Sequence, residues 1–125
     1  MEQDNIYRVV VVDDEPEFRQ WLRSLFGSSE DFCVVGEANS GAEAVDIIPS
    51  LKPDLVIADM YMPGPDGLEL TRCVQENFPD TRAILVSAYT ERVYERLAKE
   101  AGALTFISKV SFSLEALRGA LRGEK

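Results

Sequence analysis

Tyr7-Arg8-Val9-Val10-Val11-Val12-Asp13-Asp14-Glu15-Pro16 runs apolar for four residues and then stops on three acids and a proline. A short, continuous run of valine is how a strand buried on both faces of a parallel sheet reads. Pro16 suits the first position of a helix, where its missing N–H costs nothing. Phe18, Trp21, Leu22, Leu25 and Phe26 then recur at i, i+3, i+4, i+7 and i+8, one apolar helical stripe. The stretch is a strand followed by a helix, with acids at the junction.

The same unit repeats along the chain. Further apolar runs stand at Phe32–Gly36, Leu55–Ala58, Ala83–Val86 and Leu104–Ile107. Between them lie helical signals. Ser40-Gly41-Ala42-Glu43 and Asp66-Gly67-Leu68-Glu69 have capping-box spacing. Leu70, Val74 and Phe78 follow the second box on one side. Thr90 can cap a fourth helix carrying Val93, Leu97 and Ala101. Ser113 can cap a fifth carrying Leu114, Leu117 and Leu121. Alternation of this kind predicts an α/β fold, (βα)5, with right-handed crossovers and a doubly wound parallel sheet. At 125 residues the chain is expected to be one domain, core about 6–122, with 123–125 a natural end or the start of a linker.

Composition narrows the chemistry. A net charge of -9, from 22 acidic and 13 basic residues, argues against direct binding to nucleic acid. No apolar run is long enough to span a bilayer, and the acidic N-terminus does not read as a signal peptide, so no membrane association and a cytoplasmic location are expected. With no histidine, triads, Cys-His pairs and histidine metal sites are excluded. Cys33 and Cys73 lie in apolar segments without metal-ligand spacing and read as reduced core thiols.

Ligands of doubly wound sheets sit at the carboxyl ends of the strands. There this chain places Asp13, Asp14 and Glu15 after strand 1, Asp59 after strand 3, Ser87 and Ala88 at strand 4, and Lys109 after strand 5. Converging carboxylates repel unless a cation lies among them, and Mg2+ is the hard, oxygen-liking ion that suits them. Lysine and serine can meet phosphoryl oxygens, Ala88 leaves room, and a central carboxylate, best Asp59, can be the nucleophile. Each residue alone has a plainer reading: helix-end acids, a loop Asp, a capping Ser, a solvated Lys. Their coincidence at one rim is the signal.

Val11-Val12-Asp13-Asp14-Glu15-Pro16, Asp59-Met60-Tyr61-Met62-Pro63-Gly64-Pro65-Asp66-Gly67-Leu68-Glu69-Leu70, Ser87-Ala88 and Phe106-Ile107-Ser108-Lys109 together resemble the response-regulator receiver family of two-component signalling. The resemblance runs from about Arg8 to Leu121. Gly36 to Ala44, with Val110 where many receivers have proline, is most similar to receivers of LuxR-type helix-turn-helix transcription regulators. The resemblance implies a flavodoxin-like sheet of order 2-1-3-4-5, with Asp59 as phosphoacceptor. It implies Mg2+ on Asp14, Asp59, Asp13 and the backbone carbonyl of Tyr61. It gives Lys109 to the phosphoryl group and makes Ser87 and Phe106 the switch pair. It implies a histidine kinase as phosphodonor and a homodimer or partner surface on the helix 4–strand 5–helix 5 face. Phe106 also reads as simple core, and Val110 leaves the Lys109–Val110 peptide open between cis and trans. Tyr61 and Tyr89 flank the site with bulk that would limit water access.

A Mg2+-dependent phosphohydrolase would want a second Asp two residues after its nucleophile, where Tyr61 stands. A nucleotide-binding module would need a glycine-rich loop after strand 1, which is absent. The expectation is thus a regulatory domain, not an enzyme with a separate substrate.

Overall fold

The computed structural model describes residues 6–89 and 92–123. In chain order these form β1 (Tyr7–Val12), α1 (Pro16–Gly27), β2 (Phe32–Ala38), α2 (Gly41–Leu51), β3 (Leu55–Asp59), α3 (Gly67–Asn77), β4 (Arg82–Ser87), α4 (Arg92–Ala101), β5 (Thr105–Ser108) and α5 (Leu114–Leu121), with a 3-10 turn at Lys109–Ser111. The strands are parallel in the order β2-β1-β3-β4-β5. This is the doubly wound (βα)5 sheet that the alternation predicts.

Strand alternation splits the core in two. Val10, Val12, Val56, Ala58 and Leu85 face one layer, packed on Ala44 and Ile48 of α2, Leu70 and Val74 of α3, and Ala98 of α4. Val9, Val11, Leu55, Ile57, Ile84 and Val86 face the other, packed on Leu22 and Phe26 of α1, Leu117 of α5, and Phe112. Full burial of each large aliphatic side chain is worth about 1.5–3 kcal/mol. The central strands need both layers, which is why they read as continuous apolar runs.

The helix starts follow the sequence with one informative variation. Asp66 and Glu69 close a full capping box on α3. Ser40 accepts the Glu43 N–H at 3.1 Å, but the Glu43 carboxylate reaches back to the Asn39 N–H at 2.7 Å instead of the cap residue. Ser113 caps α5 through the Ala116 N–H at 3.0 Å. Thr90 lies outside the described residues. Pro49 sits inside the last turns of α2, and the helix closes three residues later at Lys52, whose left-handed backbone (φ 48°) returns its N–H to the Ile48 carbonyl.

Several apolar expectations need correction. Trp21 is 44% exposed; its ring lies over Phe18 and edge-on to Phe112 instead of in the core. Val93 is 42% exposed, since α4 turns Ala98 and Ala101 inward. Cys33 is exposed on the edge strand β2 and Cys73 is half-buried, so both are free thiols outside the core. No peptide bond among the described residues is cis, so Lys109–Val110 is trans.

Candidate functional site at the carboxyl rim of the sheet

Strand register assembles the site. Val12 pairs with Ala58, so Asp13 leaves β1 beside the end of β3. Asp59 pairs with Val86, which sets Ser87 one step further along β4. Ser87 pairs with Ser108, and Lys109 follows. Four strands thus deliver two carboxylates, a hydroxyl and an ammonium to one rim. The α3 N-terminus closes in beneath them: a Cβ on Gly67 would stand 2.4 Å from the Asp59 carbonyl oxygen, so only glycine fits without moving backbone.

Lys109 is the centre of the cluster. Its Nζ donates to Glu15 Oε1 at 2.7 Å and to Asp59 Oδ2 at 3.0 Å. It also stands 2.8 Å from Asp13 Oδ2, in an ion pair without hydrogen-bond alignment. The Phe18 ring lies 4.5 Å from the same ammonium. The second Asp59 oxygen accepts the Tyr61 N–H at 3.0 Å, and the second Asp13 oxygen accepts the Glu15 N–H at 2.9 Å. Arg19 donates to the Asp13 carbonyl and to Glu37, tying the start of α1 to β1 and β2.

One largely buried cation faces three carboxylates, and the protonation equilibria reflect it. Burial pushes the Asp13 carboxyl above the usual range, against the pull of Lys109. Burial would lower Lys109, but the carboxylates of Asp13, Glu15 and Asp59 against its ammonium together carry it above the ordinary lysine range. The partners differ because Lys109 gathers three carboxylates, whereas Asp13 receives a share of one ammonium.

The donor set fits an oxygen-liking divalent ion. Asp13, Asp14 and Asp59 each offer an oxygen, all within 4.8 Å of one another. Asp13 Oδ2 is buried yet has no hydrogen-bond donor, and Asp14 is exposed at the mouth. A buried carboxylate oxygen that shares its ammonium neighbour, Lys109, with Asp59 and Glu15 is an arrangement a divalent ion relieves.

Ser87 is fully buried and its Oγ accepts the Tyr89 N–H at 3.1 Å. Ala88 beside it is exposed. Tyr61 and Tyr89 are 49% and 58% exposed, their rings 6.0 Å apart edge to face. Tyr94 of α4 packs on both, and also lies 6.4 Å from the half-buried Phe106. The sequence reading named Tyr61, Tyr89 and Phe106 but missed Tyr94, which joins them. It also missed the part of Phe18, which as an apolar position at i+3 from Glu15 carried no sign of a cation contact.

Three kinds of comparison bear on the whole fold. The family model for the response regulator receiver domain matches residues 9–122. Among proteins of known description, the chain is 34% identical over 122 residues to the transcriptional regulatory protein LiaR of Bacillus subtilis, covering 94% of this chain and 57% of LiaR. It is 38% identical over 118 residues to the transcriptional activator protein ExaE of Pseudomonas putida, covering 92% of this chain and 55% of ExaE. The chain therefore spans about half the length of such relatives. The signal receiver domain of the response regulator NarL from Mycobacterium tuberculosis superposes with a TM-score of 0.86 at 35% identity, covering 96% of this chain and 97% of that one. The response regulator domain of Thermotoga maritima CheB superposes with a TM-score of 0.77 at 36% identity, over 94% and 90% of the two chains. No helix among the described residues is long and apolar enough to cross a membrane. With register, rim chemistry, family model and solved relatives in agreement, the chain belongs to the response regulator receiver domain family of two-component signalling.

Proposed function

We propose that this chain is a phosphoacceptor switch in which Asp59 takes a phosphoryl group from a histidine kinase or a small acyl phosphate. The observation that carries this reading is the gathering of Asp13, Asp14, Asp59 and Lys109 at one rim. In the forward step an Asp59 carboxylate oxygen bonds to phosphorus. The donor's P–N bond (or P–O bond, for an acyl phosphate) breaks, and its electron pair leaves with the donor. The product is an acyl phosphate on Asp59. Water later attacks phosphorus, restoring the carboxylate and releasing inorganic phosphate.

Asp13, Asp14, Asp59 and the Tyr61 carbonyl would hold Mg2+, which when bound neutralises charge on the transferring oxygens. Lys109 moves from Asp59 Oδ2 to a phosphoryl oxygen. Ser87 gives up the Tyr89 N–H and donates its hydroxyl to another. Tyr61 and Tyr89 narrow the approach of water, and Ala88 leaves space. Because Tyr94 touches both tyrosines and Phe106, movement of Ser87 is felt on the α4–β5–α5 face, where a second copy or an output partner would dock. The chain turns over no separate substrate. It serves as a single regulatory domain in the cytoplasm, controlling a transcriptional output, and leaves nucleic acid to another part of the protein.

Intact-mass spectrometry after incubation with acetyl phosphate and Mg2+ tests this reading. One added phosphoryl group is expected, absent without Mg2+ and absent in Asp59→Asn. No adduct in the unaltered protein contradicts it.

A further inference from the structure

Glu15 occupies the N-cap of α1, yet its side chain caps nothing. That position ordinarily returns a side-chain oxygen to the first helical N–H groups. Here the carboxylate turns instead to Lys109, 94 residues away in sequence, at 2.7 Å, the shortest of that ammonium's three acid contacts. One turn on, Phe18 presents its ring to the same ammonium. The start of α1 thus holds the same ammonium that Asp59 holds. The Glu15 side chain is 60% exposed.

We propose that Glu15 and Phe18 are positioning residues that hold Lys109 back from the phosphoryl group, so that α1 sets how tightly the phosphorylated state is kept. This rests on the phosphoacceptor reading above. Lys109 has three N–H donors, and in this structure its ammonium already faces three acids, Glu15 at 2.7 Å, Asp13 at 2.8 Å and Asp59 at 3.0 Å. A phosphoryl group on Asp59 must compete with Glu15 for Lys109, and it also meets the negative charge of Glu15 nearby. Removing that charge frees the ammonium and lowers the repulsion, so the anion is held more tightly. Trp21 stacks on Phe18 at 5.7 Å and is the chain's single tryptophan, so it reports on the far side of the same contact.

The test is titration with beryllofluoride, a tetrahedral stand-in for a phosphoryl group, at saturating Mg2+. Binding is followed by 19F NMR and by Trp21 emission in the unaltered protein, Glu15→Gln and Glu17→Gln. Glu17 is exposed on the same helical turn and controls for loss of one charge. Glu15→Gln is expected to bind about three- to fivefold more tightly, the scale of one partly exposed charge pair, with Glu17→Gln within about 1.5-fold of the unaltered protein on the same scale. Trp21 emission is expected to change on binding as Lys109 leaves Phe18. Equal or weaker binding by Glu15→Gln, equal tightening by Glu17→Gln, or bound fluoride with silent Trp21 each overturns the proposal while leaving Asp59 as acceptor. If the unaltered protein binds no beryllofluoride, both readings fall.

Discussion

Asp13 and Asp31 lie at opposite ends of the same sheet and are held in opposite ways. Asp31, in the turn before β2, takes a two-pronged contact from Arg118 of α5 at 2.7 and 2.8 Å and a hydroxyl from Ser29, and its carboxyl falls far below the ordinary range. Asp13, after β1, is buried among further acids, and its carboxyl rises. The neighbours repeat the contrast. At the amino ends, the Thr81 hydroxyl donates to the Pro53 carbonyl at 2.7 Å and the Arg8 N–H to Asp54 at 2.8 Å. At the carboxyl ends, Asp13 Oδ2 meets the Lys109 ammonium at 2.8 Å but shares it with Glu15 and Asp59. One end is closed and stabilises the fold; the other keeps more acid than its one ammonium balances, a cost that a ligand can offset.

Substitutions at the two ends should therefore act with opposite signs. Thr81→Val leaves the buried Pro53 carbonyl without its donor, and urea unfolding should show a loss of about 2 kcal/mol. At the other end, 10 mM Mg2+ should stabilise the unaltered protein by about 1.4 kcal/mol for a site of about 1 mM affinity. Calorimetry should show the rise and its loss in Asp14→Asn. Asp13→Asn keeps an acceptor for the Glu15 N–H while removing one crowded charge, so without divalent ions it should be more stable by about 1 kcal/mol. A loss in that variant would erase the contrast.

The smallest effect belongs to Asp31→Asn, whose ion pair with Arg118 is more than a third exposed and screened. The folded pKa of Asp31 is depressed, so its stabilisation is present above its ordinary value of 3.8 and fades as pH falls below it. Thermal midpoints of the variant should lie below those of the unaltered protein at pH 7 and converge with them in acid.

The fold was legible because hydrophobic period and cap chemistry agree along nearly the whole chain. β1 and β3 start where their apolar runs start, and the caps at Ser40 and Asp66 open helices. Partial burial was not legible: Trp21, Val93 and Cys33 have apolar character, but exposure depends on which neighbours face them. Nor was the extra residue at Val35, where β2 slips by one against β1 between Val9 and Val10. The rim residues were found because each follows a strand. Their contacts were not, since the reach of Glu15 to Lys109 and the packing of Tyr94 depend on crossovers bringing distant segments together.

The most direct measurement is to treat the protein with acetyl phosphate and Mg2+, reduce it with borohydride, and locate the product by peptide mass spectrometry. An aspartyl phosphate is reduced to homoserine, and the account predicts homoserine at position 59 alone. Homoserine at position 13 or 14, or at no position, would contradict it.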